Sequence, residues 1–240
     1  MPRGAKDWGQ YAEQDILAKT FDLGELAVRL GCPSVFSRSG SIIYATNFEN
    51  GFKDWVVNNE WGCDTRVTAE RGYHSSYSLV FDFYIEWEAH GAIKRSIPFL
   101  RESKYAFEIV FGVDQWPVDI HFSCLLTSEQ VQYNYAVYLL GSTSTLEIEI
   151  PGENIVLETN ILPAGTPFRW NFIKLYFDTV SQHYLRLQFN NKVYNLKSFE
   201  CPKEAIQEHD TMHINMDCRN LYGDVNRFYV GSIILTANEE

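Results

Sequence analysis

The chain has 240 residues, and its 31 acidic against 20 basic side chains leave a net charge of −11. With no cluster of Lys and Arg, that balance argues against nucleic acid as a partner and disfavours anionic polysaccharide. Hydrophobic residues at 45% suffice for a large core, but no run of eighteen apolar residues exists to form a membrane-spanning helix.

Residues 1–40 differ from the rest. The stretch "DILAKTFDLGELAVRLG", Asp15 to Gly31, has apolar residues near helical spacing and is closed by Gly31 and the Cys32-Pro33 step. It predicts one or two short helices in an N-terminal arm, packed on its own domain or on a second copy in a homo-oligomer. The first twenty residues lack the continuous apolar segment of a secretory signal, so a cytoplasmic location is expected. The cysteines (Cys32, Cys63, Cys124, Cys201, Cys218) are odd in number, scattered and without a C-x-x-C pair. They read as free thiols, with a Cys201–Cys218 disulfide as the alternative for an exported protein.

From Ser41 the hydrophobic period becomes two. The segments "SIIYATNF", "YSLVFDFYIEW", "YAFEIVFGV", "VDIHFSCLLT", "QYNYAVYLLG", "TLEIEIPG", "FRWNFIKLYFDTV", "HYLRLQFNNKVYNLK", "MHINMDC" and "RFYVGSIILTA" all read as strands. Turn chemistry such as "ERGYHSS" and "ILPAGTP" falls between them, and one helix is expected at "CPKEAIQEHD", with Pro202 in its first turn. Strands at this spacing, with no alternating helices, predict an all-β antiparallel sandwich over residues 41–240.

The opening stretch "TNFENGFKDWVVNN" places Phe48, Glu49, Gly51 and Trp55 ahead of "GYHSSYSLVFDF". This resembles the start of jelly-roll carbohydrate-binding modules. Downstream, "WNFIKLYFDTVSQHYLRLQFNNKVYNL" and the terminal "RFYVGSIILTA" are similar to concanavalin A-like and laminin-G-like sandwiches. The resemblance covers most of residues 42–236 and implies a concanavalin A-like jelly roll. In many such modules a structural calcium joins the first and last strands, and Glu49 would supply one of its oxygens. The last strand, however, has Gly231 where a second carboxylate is expected.

Sugar binding needs exposed aromatic faces and side chains that receive hydroxyls. Trp55, Trp61, Trp87, Trp116, Tyr133 and Tyr135 are the aromatic candidates, and Trp55 and Trp61 flank the polar run "NNE". In "VQYNYAVYLLG", Gln132 and Asn134 share one face of a strand while Tyr133 and Tyr135 share the other.

The enzyme alternative rests on carboxylates and histidines. "LEIEIPGE" resembles the Glu-x-Asp-x-Glu strand of laminarinase-type glucanases, and Glu147 and Glu149 fall on one face about 7 Å apart. Two carboxylates at such separation are what glycoside hydrolysis uses. Pro151 and Gly152, however, occupy the places where that family's second catalytic Glu would fall. Outward Glu between inward Leu146, Ile148 and Ile150 is also the pattern of any half-exposed strand. Two further groupings can be read as acid–base or metal clusters: Glu86, Glu88 and His90 in "EWEAH", and His209, Asp210, His213, Asn215 and Asp217 in "HDTMHINMD". The sequence thus predicts a non-catalytic module for a neutral carbohydrate. A glycoside hydrolase or polysaccharide lyase of the same fold is the first alternative, and a purely structural, oligomeric sandwich the second.

Overall fold

The computed structural model describes residues 40–73, 76–84, 88–97, 104–115, 118–161, 168–206, 210–221 and 225–239. The expected helical arm lies outside these residues. Among the described residues there is no α-helix, and the chain runs as sixteen strands. In order they are β1 (Ser41–Thr46), β2 (Val56–Glu60), β3 (Cys63–Thr68), β4 (Ser78–Phe83), β5 (Ala89–Ile97), β6 (Lys104–Val113), β7 (Val118–Ser128) and β8 (Val131–Leu140). There follow β9 (Thr145–Ile150), β10 (Glu153–Thr159), β11 (Trp170–Asp178), β12 (His183–Phe189), β13 (Lys192–Asn195), β14 (Lys203–Ala205), β15 (Thr211–Asn220) and β16 (Asn226–Ala237).

They form two antiparallel sheets. The first has the order β13-β12-β11-β6-β16-β4-β3, with β1 also on β16; the second has the order β10-β9-β8-β7-β15-β5-β2, with β14 also on β8. The order interleaves distant segments, as a jelly roll requires, so neither sheet could form from one end of the chain alone.

The alternating pattern does what the sequence predicts. In β7, Ile120, Phe122, Cys124 and Leu126 face the core, as do Met212, Ile214, Met216 and Cys218 of β15. Phe111 of β6 and Phe228 of β16 meet Phe122 from the opposite sheet, with centroids 5.4 and 6.5 Å from it. Tyr135 of β8 stacks on Phe177 of β11 at 4.1 Å, a second aromatic rivet between the sheets. Such pairs add about 0.5–1.5 kcal/mol each beyond their area. On the outer side of the first sheet Lys174 of β11 is itself fully buried, and its charge is met by Glu239 at 2.9 Å and Glu108 of β6 at 4.0 Å.

Three expectations are corrected. The helix expected at Cys201–Asp210 is absent over its described residues 201–206: Lys203–Ala205 are β14, and Pro202 gives its carbonyl to the Asn134 N–H at 3.0 Å. The unpaired edge of β8 recruits this segment, and edge capture outweighs the weak helical pattern. Trp55 is not an exposed platform but is only 7% exposed. The turn closed by the Phe48 carbonyl and the Gly51 N–H brings the indole inward, against Phe48 and edge-on to Tyr44, whose hydroxyl accepts its Nε1–H at 3.1 Å. Tyr135, offered as a stacking ring, is wholly buried.

Candidate functional site on the outer face of the second sheet

Strand order on the second sheet decides which outward side chains meet. β7 and β8 are consecutive, joined by a tight turn in which Glu129 and Gln130 both have positive φ (52° and 64°). β15, some ninety residues later, pairs with the other side of β7 and sets Asp217 opposite His121. β8 sets Tyr138 opposite the same histidine, and β9 sets Glu147 opposite Tyr138. On the far side Asp217 faces Ala92 of β5, which faces Asn58 of β2. The row Asn58, Ala92, Asp217, His121, Tyr138, Glu147, Val156 therefore crosses seven strands, a span of about 29 Å at the usual strand spacing.

At the centre of the row the His121 and Tyr138 rings stack, 4.4 Å apart and within 3° of parallel. The Tyr138 hydroxyl donates to Glu149 Oε2 at 2.8 Å, and Asn134 Nδ2 donates to the same oxygen at 2.7 Å. Glu147, 8% exposed, accepts from Thr145 Oγ1 at 2.7 Å and Asn154 Nδ2 at 3.3 Å. Both carboxylates are thus held in place by neutral donors. Burial lowers the pKa of His121, against the pull of Asp217 and Glu149, so its imidazole is neutral at pH 7. Burial and the hydrogen bond to Glu149 push the Tyr138 phenol up.

Beside this group lies a depression of about 360 Å³ lined by Val56, Asn58, Ala92, Lys94, His121, Asn215 and Asp217. Asp217 is 2.8 Å from His90 Nε2, and Glu60 lies 3.7 Å from the other nitrogen of that ring. Buried His121 Nε2, Asn134 Oδ1 and Asn215 Oδ1 have no hydrogen-bond partner among the described residues.

A special connection makes room for Glu149. The β8–β9 ladder runs from Leu140 back to Val137 and stops. Beyond it, the Tyr184 hydroxyl from the first sheet enters between the strands. It accepts the Ala136 N–H at 3.0 Å and donates to the Glu149 carbonyl at 2.8 Å, with the Asn134 carbonyl 3.2 Å away.

Of the residues singled out in the sequence, Glu147, Glu149 and Asn134 are brought together here. Asn215, Asp217 and His90 stand a few strands away on the same face. Gln132, on the same face of β8, pairs with Glu204 of β14 toward the sheet's end. Tyr133 faces the other way and accepts from Gln182 Nε2 at 3.2 Å. His213 is 8% exposed and 3.0 Å from Ser96 Oγ, Asp210 receives the Glu129 N–H, and Glu88 is exposed at the start of β5. Trp61, 72% exposed, sits in the Trp61-Gly62 turn that carries the chain from the second sheet to the first. Trp87, Trp116, Glu86 and His209 lie outside the described residues.

Glu49 does not fit a calcium site. It is exposed, and among the described residues no group of three His, Cys, Asp or Glu gathers to hold a metal ion. Gly231, where the partner carboxylate would stand, lies at a bulge in β16; a Cβ there would come within 2.5 Å of Tyr73 Cβ and 3.2 Å of the Trp170 ring. The packing at that point excludes an Asp.

The sequence singled out neither His121 nor Tyr138 as a site residue. Their outward alternation in β7 and β8 was legible, but the stacking depends on a hairpin whose turn residues, Glu129 and Gln130, carry no Gly or Asn signal.

No protein-family model matches the chain, and no curated protein matches it. Solved structures do. The endo-β-1,4-glucuronan lyase from the fungus Trichoderma reesei superimposes with a TM-score of 0.58 at 7% identity, over 84% of this chain and 96% of that one. The carbohydrate esterase of the Shiga toxin-encoding bacteriophage phi24B gives 0.54 at 10% identity, over 84% and 100%. The catalytic domain of the endo-1,3-β-glucanase (laminarinase) from Thermotoga petrophila RKU-1 gives 0.50 at 11% identity, over 85% and 100%. The fold is the concanavalin A-like jelly roll. At such identities the likeness establishes the fold and nothing of the chemistry.

Proposed function

We propose that this protein binds carbohydrate on the outer face of its second sheet and does not cleave it. The observation that carries this reading is the Glu149 carboxylate, fixed by Tyr138 and Asn134 next to a stacked His121 and a depression whose walls include Asp217 and Asn215. Oriented carboxylates and amides beside a ring are what a sugar's hydroxyls and C–H face require. The three similar structures are enzymes of carbohydrate chemistry, which supports the ligand class. Binding rather than hydrolysis is favoured by the β9–β10 turn: Pro151 and Gly152 end the strand, and Glu153 is exposed at the head of β10 opposite Ile150. No third carboxylate therefore follows Glu147 and Glu149 along β9.

A glycan array and titration calorimetry, comparing wild type with Tyr138→Phe and Trp61→Ala, test the proposal. The Phe variant keeps the ring but removes one of the two hydrogen bonds that hold Glu149, and affinity for the bound glycan class is expected to fall about tenfold, the worth of one hydrogen bond to a charged group. Folded protein that binds no glycan refutes it. Binding that survives Tyr138→Phe but vanishes with Trp61→Ala moves the site to the β2–β3 turn.

A further inference from the structure

The first sheet is buried on its outer face, where an antiparallel sheet commonly meets water. Two cross-strand rows show it: Lys174, Glu108 and Ile234 stand opposite one another on β11, β6 and β16, and Tyr176, Ala106 and Thr236 do the same one pleat on. These side chains alternate with the inward Phe107, Ile109, Leu175, Ile233 and Leu235, so they point away from the core. None of the six is more than 2% exposed. Ile234 also packs with Ile42 and Ala45 of β1 in a small apolar cluster separate from the main core.

Among the described residues all sixteen strands belong to the two sheets, so no third layer of strands covers these rows. Tyr73 and Phe168 reach over the far end, at Gly231 and Gly112. At the Lys174 end Glu239 folds back onto Lys174 and Thr236 after Asn238, whose φ is 58°. One carboxylate side chain is too small to keep water from both rows and the Ile42–Ile234 cluster.

Residues 1–39 have the position, pattern and length to do so. Gly40 is buried against the end of β16: a Cβ there would meet the Ala237 carbonyl oxygen at 2.2 Å and Glu239 Cγ at 3.0 Å, so the chain before it departs from this end of the face. Within Asp15–Gly31, Ile16, Leu23, Leu26 and Leu30 fall at helical spacing, with Asp22, Glu25 and Arg29 to another side. As a helix that stretch would span about 25 Å, enough to cross the roughly 14 Å from β11 through β6 and β16 to β1. We infer that residues 1–39 dock on the outer face of the first sheet of their own chain, with the apolar side of Asp15–Gly31 over Ile42, Ala106 and Ile234. The docked segment closes this face and keeps Lys174 and its carboxylates from water, leaving the outer face of the second sheet, where Val56 is 68% exposed, as the open one.

Amine acetylation of the full chain, read by mass spectrometry, tests the cover, with exposed Lys104 and Lys192 as references and Lys174 as the probe. Lys174 should stay unlabelled in wild type and become labelled in Leu23→Asp/Leu26→Asp. Trypsin should cut wild type after Lys19 and Arg29 at least about tenfold more slowly than it cuts a free peptide of residues 1–39. Lys174 that stays shielded in the folded double variant overturns the inference. Wild-type cleavage at the free-peptide rate also overturns it, and that measurement needs no variant to fold. Shielding lost on dilution together with a dimer, followed by light scattering, gives the face to a second copy and overturns docking within one chain.

Discussion

Tyr184→Phe probes the junction that places Glu149. The Tyr184 ring is fully buried, and its hydroxyl reaches from the first sheet into the gap between β8 and β9. Removing the oxygen leaves the ring's packing intact but deletes the bond to the Glu149 carbonyl and strands the Ala136 N–H. The lost bond is worth about 1 kcal/mol, and an unsatisfied buried donor costs a further 1–3 kcal/mol or so. The expected destabilisation is therefore about 2–4 kcal/mol, which for a chain of this size lowers Tm by roughly 4–16 °C. Differential scanning calorimetry reads this directly. Glycan affinity should fall as well, because the strand carrying Glu149 loses its tether. A melting temperature within a degree of wild type would show that Ala136 finds another partner and that the hydroxyl does not set the β8–β9 gap.

Other perturbations separate fold from site. Trp55→Ala opens a cavity beside Phe48 and should cost about 3–5 kcal/mol by urea titration, whereas Trp61→Ala, on an exposed ring, should stay within about 0.5 kcal/mol. Gly231→Asp forces a side chain into Tyr73; a lower Tm that calcium does not restore is expected, while calcium rescue would reinstate the metal site. His121 is held below its ordinary value of 6.5 by burial. The unfolded chain therefore takes up the proton first, and stability present above pH 6.5 is lost as the pH falls toward the folded-state value. Melting curves of His121→Asn from pH 7.5 to 5 should be flatter than those of wild type, and identical slopes would refute the assignment.

The sequence by itself determined the strands and their faces. Alternation in "VDIHFSCLLT" and "TMHINMDC" marks Ile120, Phe122, Ile214 and Met216 as inward, and it puts Glu147 and Glu149 side by side on the outward face, because a strand's period of two needs no partner to be read. Five strands escaped, β2, β3, β5, β10 and β14, since their polar and charged residues blur the period. Only the tertiary structure decided which outward residues meet. Asp217 faces His121 through a pairing of segments ninety residues apart, and Tyr184 enters the second sheet from the first. It also decided that Trp55 is core and Trp61 surface, although both flank the same polar run. Local sequence sets the direction of a side chain, but exposure and neighbourhood come from what the rest of the chain lays against it.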